Sequence, residues 1–545
     1  MTETIADELA RCGVSEVVVS PGLHSAFLAN ALHRHPGIRL HVRIDERSAG
    51  FLALGLARAS RRPAAVVCTS GTATANLHPA VLEAHHSRVP LLVLTADRLP
   101  AQRDTGANQA TDQVRLFGTA VGHFAELDSD GTRADPASVR YWRSVVSRSV
   151  AAAARGPVHL NVGLPEPMDV TGEPAGWQPV ARTGGAPWTA VTAPAPQPVD
   201  LELPARGVVI VGDGAADPDR AVAFAEEAGW PLIAEPQSGA RYGATVLSNY
   251  VDLLGHPGFR ARAVPELVVS VGRPGISLTV LDYLAHAPEV VVVDPSPDWA
   301  DPVRTATRVV PALGAARRTA EDPAWLPLWQ QADKAAATAL DQLLDTGPLS
   351  EPRVARELVA ALPAGALLFV ASSMPIRDAE RMRPRQDLRI LANRGLSGID
   401  GAVSSAVGAA LAHQAAGGGR AFALLGDLSL LHDQNGLIGA PGTERPDLVV
   451  VLVNNNGGGI FSMLPPGEPI DGFELYLGTP HQVDFAHLAA ASGWPYTRAR
   501  SVAELLSAVE QPGPRLVEVV TDRRANAEFH GLMMATLAEA ITATL

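Results

Sequence analysis

AFALLGDLSLLHD (residues 421–433) and LVVVLVNNNGGGIF (448–461) are two short apolar runs, each of which ends in a polar turn. Runs of this length without alternation suit strands buried on both faces, as in a parallel sheet. In open parallel sheets ligands bind beyond the carboxyl ends of the strands. Gly426-Asp427-Leu428-Ser429 and Asn454-Asn455-Asn456-Gly457-Gly458-Gly459 occupy that place. An Asp and an Asn on adjacent strand ends each offer an oxygen to a hard divalent cation. Mg²⁺ takes near-octahedral oxygen ligands and draws the remainder from phosphates and water. The glycines let the backbone approach a diphosphate closely and turn N–H groups toward it. Asp and Asn are also ordinary turn formers, but their pairing after two apolar strands favours ligand binding.

Outward from this pair, short β-branched runs alternate with longer helical stretches, the pattern of βα units. EVVVS (16–20), LHVRI (40–44), AAVVCTS (64–70), LLVLTAD (91–97) and VHLNV (158–162) are the strands expected in the first third. VVIVG (208–212), LVVSVG (267–272) and VVVVD (290–294) belong to a second block, and LLFVAS (367–372), RILAN (389–393) and RLVEVVT (515–521) join the opening pair in a third. Residues 170–206 are rich in Pro, Ala, Thr and Gly and read as a connection. The expected fold is α/β, three open parallel-sheet domains: 1–172, a linker at 173–206, then 207–345 and 346–545.

At 545 residues the chain exceeds one ordinary core. Its net charge of −13 argues against a nucleic-acid partner. No apolar run reaches the roughly 18–20 residues of a membrane span, and MTETIADELARCG lacks the basic-then-apolar build of a signal peptide. A cytoplasmic protein is expected. Cys12 and Cys68 cannot build a disulfide framework or a zinc cage. Lys334 is the only lysine and lies in ADKAAATAL without a P-loop glycine motif, and HExxH, CxxC and GxSxG are missing. VVIVGDGAAD (208–217) starts like a dinucleotide fingerprint, but Asp217 stands where the third glycine belongs.

Three further groups sit beyond strand ends. Asp45-Glu46-Arg47 opens the helix after LHVRI; with Arg43 and Arg47 beside it, Glu46 taken alone suits a solvated ion pair. Ser20-Pro21-Gly22-Leu23-His24-Ser25 and Thr69-Ser70-Gly71-Thr72 are glycine-containing strand-to-helix turns that also suit a structural role. Arg98, Arg377 and Arg394 lie near strand ends; Arg binds carboxylates bidentately, and Arg394 inside the glycine-rich LANRGLSGIDG is oddly placed for solubility alone.

Together these pieces resemble the thiamine-diphosphate (ThDP) enzymes: a Glu-bearing domain, a middle domain, and a domain carrying GD…NN. Over essentially the whole chain the resemblance is to the 2-succinyl-5-enolpyruvyl-6-hydroxy-3-cyclohexene-1-carboxylate (SEPHCHC) synthase family of menaquinone biosynthesis. LHVRIDERSAGFLALGLA, VCTSGTATANLHPAVLEA, TADRLPAQRDTGANQ, NRGLSGIDGAVSSA, GDLSLLHD, NNNGGGIFSMLP and GTPHQVDF carry it.

The resemblance implies a carboligase that decarboxylates 2-oxoglutarate and transfers the succinyl-semialdehyde unit to isochorismate. It also implies a homodimer or homotetramer with ThDP held between the first domain of one subunit and the last domain of another. Glu46 would bond the aminopyrimidine N1′; Asp427, Asn455 and the Gly457 carbonyl would hold Mg²⁺ or Mn²⁺; Gly426, Leu428 and Ser429 would flank the cofactor. Ile399, helped by Ile460 and Phe461, would keep ThDP bent. Ser373, Arg377 and Arg394 match donor-carboxylate positions, and Arg98 and Gln109 match acceptor-side positions. The chain departs from the family's SPGSR turn at Leu23-His24, has Leu278 where a basic residue is usual, and has Leu164-Pro165-Glu166 for FRE. His24 and Leu278 fall at acceptor-binding positions, where two lost charge-assisted contacts would cost roughly 1.5–3 kcal/mol each. Two alternatives stay open: the same donor chemistry with a less anionic acceptor, and an inactive binding or regulatory homologue.

Overall fold

The computed structural model describes residues 1–128, 135–165, 180–192, 194–463 and 470–545. Glu166 and residues 173–179 and 193 of the expected linker lie outside the described residues.

Three open, all-parallel sheets form, as the apolar runs imply. The first contains β1 (Glu16–Val19), β2 (Arg39–Val42), β3 (Ala64–Cys68), β4 (Leu91–Asp97), β5 (His123–Asp128) and β6 (Val158–Gly163) in the order β2-β1-β3-β4-β6-β5. The middle region contains β7 (Pro198–Leu203), β8 (Gly207–Val211), β9 (Leu232–Ala234), β10 (Leu267–Val271), β11 (Val290–Val293), β12 (Arg308–Val310) and β13 (Ala312–Arg318). Its main sheet runs β12-β11-β10-β8-β9, and β7 pairs with β13 beside it. The last sheet contains β14 (Leu367–Val370), β15 (Arg389–Leu391), β16 (Ala421–Gly426), β17 (Leu448–Asn454), β18 (Tyr496–Ala499) and β19 (Arg515–Val520) in the order β15-β14-β16-β17-β19-β18.

The first and last sheets therefore share one strand order. In each, the winding direction reverses between β1 and β3 and between β14 and β16, and the chain steps back once more at the far edge, from β5 to β6 and from β18 to β19. Helices leave opposite faces on either side of such a point, opening a crevice at the strand ends. Ser20–Ser25 and Thr69–Gly71 flank the first crevice, and Ser372–Arg377 and Gly426–Ser429 the second.

Two expected boundaries shift. Pro198–Leu203, placed in the linker, is a strand: Leu201 and Leu203 point inward while Asp200 and Glu202 alternate outward, a period of two that the surrounding prolines obscure. The helix Arg523–Thr542, at the end of the last block, returns to the middle domain, where Phe529, Met533, Leu537 and Ile541 join the core of Trp325 and Trp329. Those four recur at i, i+4, i+8 and i+12, a stripe that needs an apolar partner.

The first and last domains meet through helices Glu46–Ser60 and Ala402–Ala415, which share one apolar core. Small residues set their separation: a Cβ on Gly55 would lie 2.2 Å from the Ser405 carbonyl oxygen, and one on Gly408 2.2 Å from that of Leu52. Among the described residues no helix is long and apolar enough to cross a membrane.

Candidate active site

A cavity of about 400 Å³ opens at the second crevice. The turn after β14 contributes Ser373 and Arg377, the turn after β15 Arg394 and Ile399, the turn after β16 Gly426, Asp427, Leu428 and Ser429, and the turn after β17 Asn455, Gly457, Ile460 and Phe461. The sequence-derived residues of the last domain thus line a single cavity, together with Glu351, Asp378 and Gly275.

Asp427 is buried at the start of helix Asp427–His432. Its Oδ1 accepts from Leu428 N at 2.7 Å, and its Oδ2 accepts from Gly457 N at 2.8 Å and lies 3.1 Å from His481 Nε2. Burial pushes its carboxyl above the usual carboxylate range, opposed by the Gly457 N–H and by His481. Asn455 donates through Nδ2 to Glu351 Oε1 at 2.8 Å, and its Oδ1 is buried without a protein partner. A buried, unsatisfied amide oxygen costs stability unless a ligand completes it. Asp427 and Asn455 are oxygen donors of the kind that suits a hard cation. The glycine turn provides the cradle: a Cβ on Gly457 would lie 1.9 Å from the Gly478 carbonyl and one on Gly458 2.3 Å from that of Leu477. Only bare backbone fits there, at a Gly457 φ of 137°.

On the opposite wall, Ser373 adopts φ 75°, costly for a residue with a Cβ. Its carbonyl accepts from Arg377 Nη1 at 2.7 Å. Arg394 reaches Ser372 Oγ at 3.3 Å and the Gly275 carbonyl at 3.4 Å. Burial lowers the Arg377 pKa, and the neighbouring Arg394 lowers it further. Two guanidinium groups that repel each other while lining one cavity are chemically suited to an anion, since an incoming carboxylate relieves that repulsion.

The first-domain residues do not line this cavity within the chain. Glu46 begins helix Glu46–Ser60, whose cap Asp45 accepts from Arg47 N at 2.8 Å and from Asn435 Nδ2 at 2.7 Å. Burial raises the Glu46 carboxyl pKa, and the charge of Asp45 adds to the rise. His24 is buried, with Nε2 2.7 Å from the Asp97 carbonyl oxygen, and burial lowers its pKa. Arg98 Nη2 donates to the Asn108 carbonyl at 2.6 Å, and Gln109 exchanges hydrogen bonds with Ser70 at 2.8 and 3.1 Å. Leu278 opens the helix Leu278–Ala285 in the middle domain and is 75 % exposed.

Sequence patterns passed over Glu351, Asp378 and His481. Glu351 looks like an ordinary acidic residue in a helix's first turn. His481 lay inside GTPHQVDF without an assigned task. Asp378 follows Arg377 on a short helix and is fully buried, which drives its carboxyl well above the usual range.

Models of thiamine pyrophosphate (ThDP) enzymes match the chain in three pieces: the N-terminal TPP-binding domain over residues 1–116, the middle domain over 189–370, and the C-terminal TPP-binding domain over 374–519. Sheet order, cradle and models define a ThDP-binding enzyme class with cofactor domains at both ends. The chain is 54 % identical to a 2-succinyl-5-enolpyruvyl-6-hydroxy-3-cyclohexene-1-carboxylate synthase from Thermobifida fusca, with 99 % of both chains covered. It is 45 % identical to one from Saccharopolyspora erythraea (97 % of this chain, 96 % of the relative) and 40 % to one from Chloroflexus aurantiacus (98 % and 96 %). The chain belongs to the SEPHCHC synthase family of thiamine-diphosphate enzymes.

Proposed function

We propose that this protein decarboxylates 2-oxoglutarate and joins the resulting four-carbon unit to isochorismate, the SEPHCHC synthase step of menaquinone biosynthesis. The observation that carries this is one cavity lined together by the Asn455 amide oxygen that no protein donor meets, the Gly457–Gly459 cradle, Arg377 and Arg394. Near-full-length likeness to relatives named for that activity supports it.

Asp427, Asn455 and the Gly457 carbonyl would hold Mg²⁺ or Mn²⁺, and the Gly457–Gly459 turn with Gly426, Leu428 and Ser429 would surround the diphosphate. Ile399, Ile460 and Phe461, which line the cavity, would pack against the cofactor. ThDP, once bound, supplies the carbon nucleophile and the sink for the electron pair left by CO₂. Glu46, its carboxyl raised by burial, would hold a proton for the aminopyrimidine N1′. Ser373, Arg377 and Arg394 bind the distal carboxylate of the donor and orient its keto carbon. His24, Arg98, Gln109 and Leu278 face the acceptor. Because Glu46 and the cavity lie apart in one chain, the site is completed by a second copy, in a homodimer or homotetramer. The domain limits at 172, 207 and 346 follow the same scheme, with strand Pro198–Leu203 and helix Arg523–Thr542 added to the middle domain.

The test is a mass-spectrometric product assay with Mg²⁺, ThDP and 2-oxoglutarate, with and without isochorismate. A succinylated isochorismate adduct supports the assignment. CO₂ release without that adduct points to a less anionic acceptor, which the exposed apolar Leu278 and the neutral His24 would suit. No CO₂ release in either case overturns the donor chemistry.

A further inference from the structure

Buried carboxylates of two other domains bear on Arg394, one by gripping its loop directly and one by fixing a backbone segment that its guanidinium touches. Glu83, on first-domain helix His78–Ser87, accepts from Gly395 N through Oε1 and from Leu396 N through Oε2, both at 2.8 Å. The fit is close: a Cβ on Gly395 would lie 2.7 Å from both the Glu83 carbonyl oxygen and Ser87 Oγ. Glu83 is also held by Ser87 Oγ at 2.8 Å and by Arg58 at 3.4 Å. From the middle domain, Glu235 Oε1 accepts from Gly275 N at 2.6 Å and Ile276 N at 2.8 Å, while Gln237 donates to Oε2 at 2.8 Å. The carbonyl of that same Gly275 accepts from Arg394 Nη2. Glu83 thus fixes the backbone beside Arg394, and Glu235 fixes one of the oxygens to which its guanidinium bonds.

We propose that Glu83 and Glu235 are positioning residues that hold Arg394 at the distance selecting a donor with a second, distal carboxylate. The proposal rests on Arg394 as a donor-binding residue. Each carboxylate uses both oxygens as acceptors, and an accept-only group is what two N–H donors in a row require. At Glu83, where each oxygen takes one N–H, a glutamine keeps the shape but turns an NH₂ group toward one of those donors. At Glu235 a single oxygen, Oε1, takes both N–H groups, so the acceptor is lost only when the side chain is removed, as in Glu235→Ala. The Arg394 loop then shifts, and a guanidinium that must meet a carboxylate bidentately tolerates little shift.

The readout is the ratio of kcat/KM for 2-oxoglutarate to that for 2-oxovalerate, which has a methyl group in place of the distal carboxylate. CO₂ release is followed on the holoenzyme with Mg²⁺. The ratio does not depend on the fraction of active protein, so partial unfolding leaves it unmoved. Glu83→Gln and Glu235→Ala are expected to lower the ratio about tenfold or more, the effect of a misplaced charge-assisted contact, through KM for 2-oxoglutarate with kcat spared. In an Arg394→Ala background neither substitution should lower it further. A ratio unchanged in both Glu83→Gln and Glu235→Ala, with Arg394→Ala lowering it, overturns the clamp and leaves the donor site standing. A ratio unchanged in Arg394→Ala overturns the role of Arg394 and the clamp with it.

Discussion

Glu351 Oε1 accepts the Asn455 side-chain amide at 2.8 Å and the Thr521 hydroxyl at 3.1 Å, leaving Asn455 Oδ1 buried and facing no protein donor. An amide has one donating and one accepting end, so an accept-only neighbour decides which end is left for a ligand. Glu351→Gln can itself donate and allows the Asn455 amide to turn over. The expected result is metal affinity weakened about 10–100-fold, the usual effect of losing a residue that orients a ligand. Mn²⁺ binding by electron paramagnetic resonance, with ThDP present, measures it. An unchanged affinity would show that something other than Glu351 orients Asn455.

Glu46 separates binding from chemistry. It stands at the first crevice, away from the cavity that holds the glycine cradle. Glu46→Gln keeps the volume and one acceptor but cannot exchange a proton. ThDP binding by calorimetry should persist within a few-fold, while CO₂ release falls about 10²–10⁴-fold, the range for removal of a general acid–base group. Loss of binding and turnover together would make Glu46 a binding residue only.

The helix pair joining the first and last domains has no slack at its crossing. A Cβ on Gly408 would lie 2.2 Å from Leu52 O and 3.0 Å from Leu56 N, both backbone atoms of the facing helix. Gly408→Ala therefore forces the two helices apart and should cost about 1–3 kcal/mol, as overpacking does, although alanine is the better helix former. Urea unfolding measures the loss. Gly531, on the exposed side of helix Arg523–Thr542 with no atom near its Cβ direction, is the control: Gly531→Ala should stabilise by propensity.

The strands most easily read from the sequence were those buried on both faces. LLVLTAD, AFALLGD and LVVVLVN are continuous apolar runs at sheet centres, and β4, β16 and β17 follow them closely. The strands that escaped were short or at an edge: His123–Asp128, Leu232–Ala234, Arg308–Val310 and Tyr496–Ala499 each end a sheet order, and Pro198–Leu203 and Ala312–Arg318 pair only with each other, and one-sided pairing asks little of the side chains. The cavity-lining residues of the last domain were legible because strand ends place them. Glu83, Glu235 and Glu351 were not, since each comes from an element distant in sequence and acts through a hydrogen bond. Asp378 was missed for a different reason: neither a motif nor its spacing foretells complete burial.

His159 offers a pH test with a definite sign. Thr95 Oγ1 donates to Asn161 Oδ1 at 2.8 Å, so the hydrogen in the 2.8 Å contact between Thr95 Oγ1 and His159 Nε2 must sit on the imidazole. Nδ1 is then the bare nitrogen, buried without a partner beside the rings of Phe117 and Phe124. A proton there would be an uncompensated charge, and burial drives the pKa from 6.5 down to about 3. Between those values the unfolded chain binds the proton and the folded one does not, so the contribution falls as the solution is acidified. Other buried groups blur the overall curve: Glu380, raised to about 7, and Asp433, raised to about 6, favour the folded state in acid. The difference between wild type and His159→Phe isolates the imidazole. The variant loses the Thr95 contact at every pH, a constant offset. Relative to wild type it should then gain about 1.4 kcal/mol for each pH unit below 6.5, until about pH 3. Urea unfolding at several pH values measures the slope, and a difference that stays flat would mean that His159 takes up its proton in the folded protein.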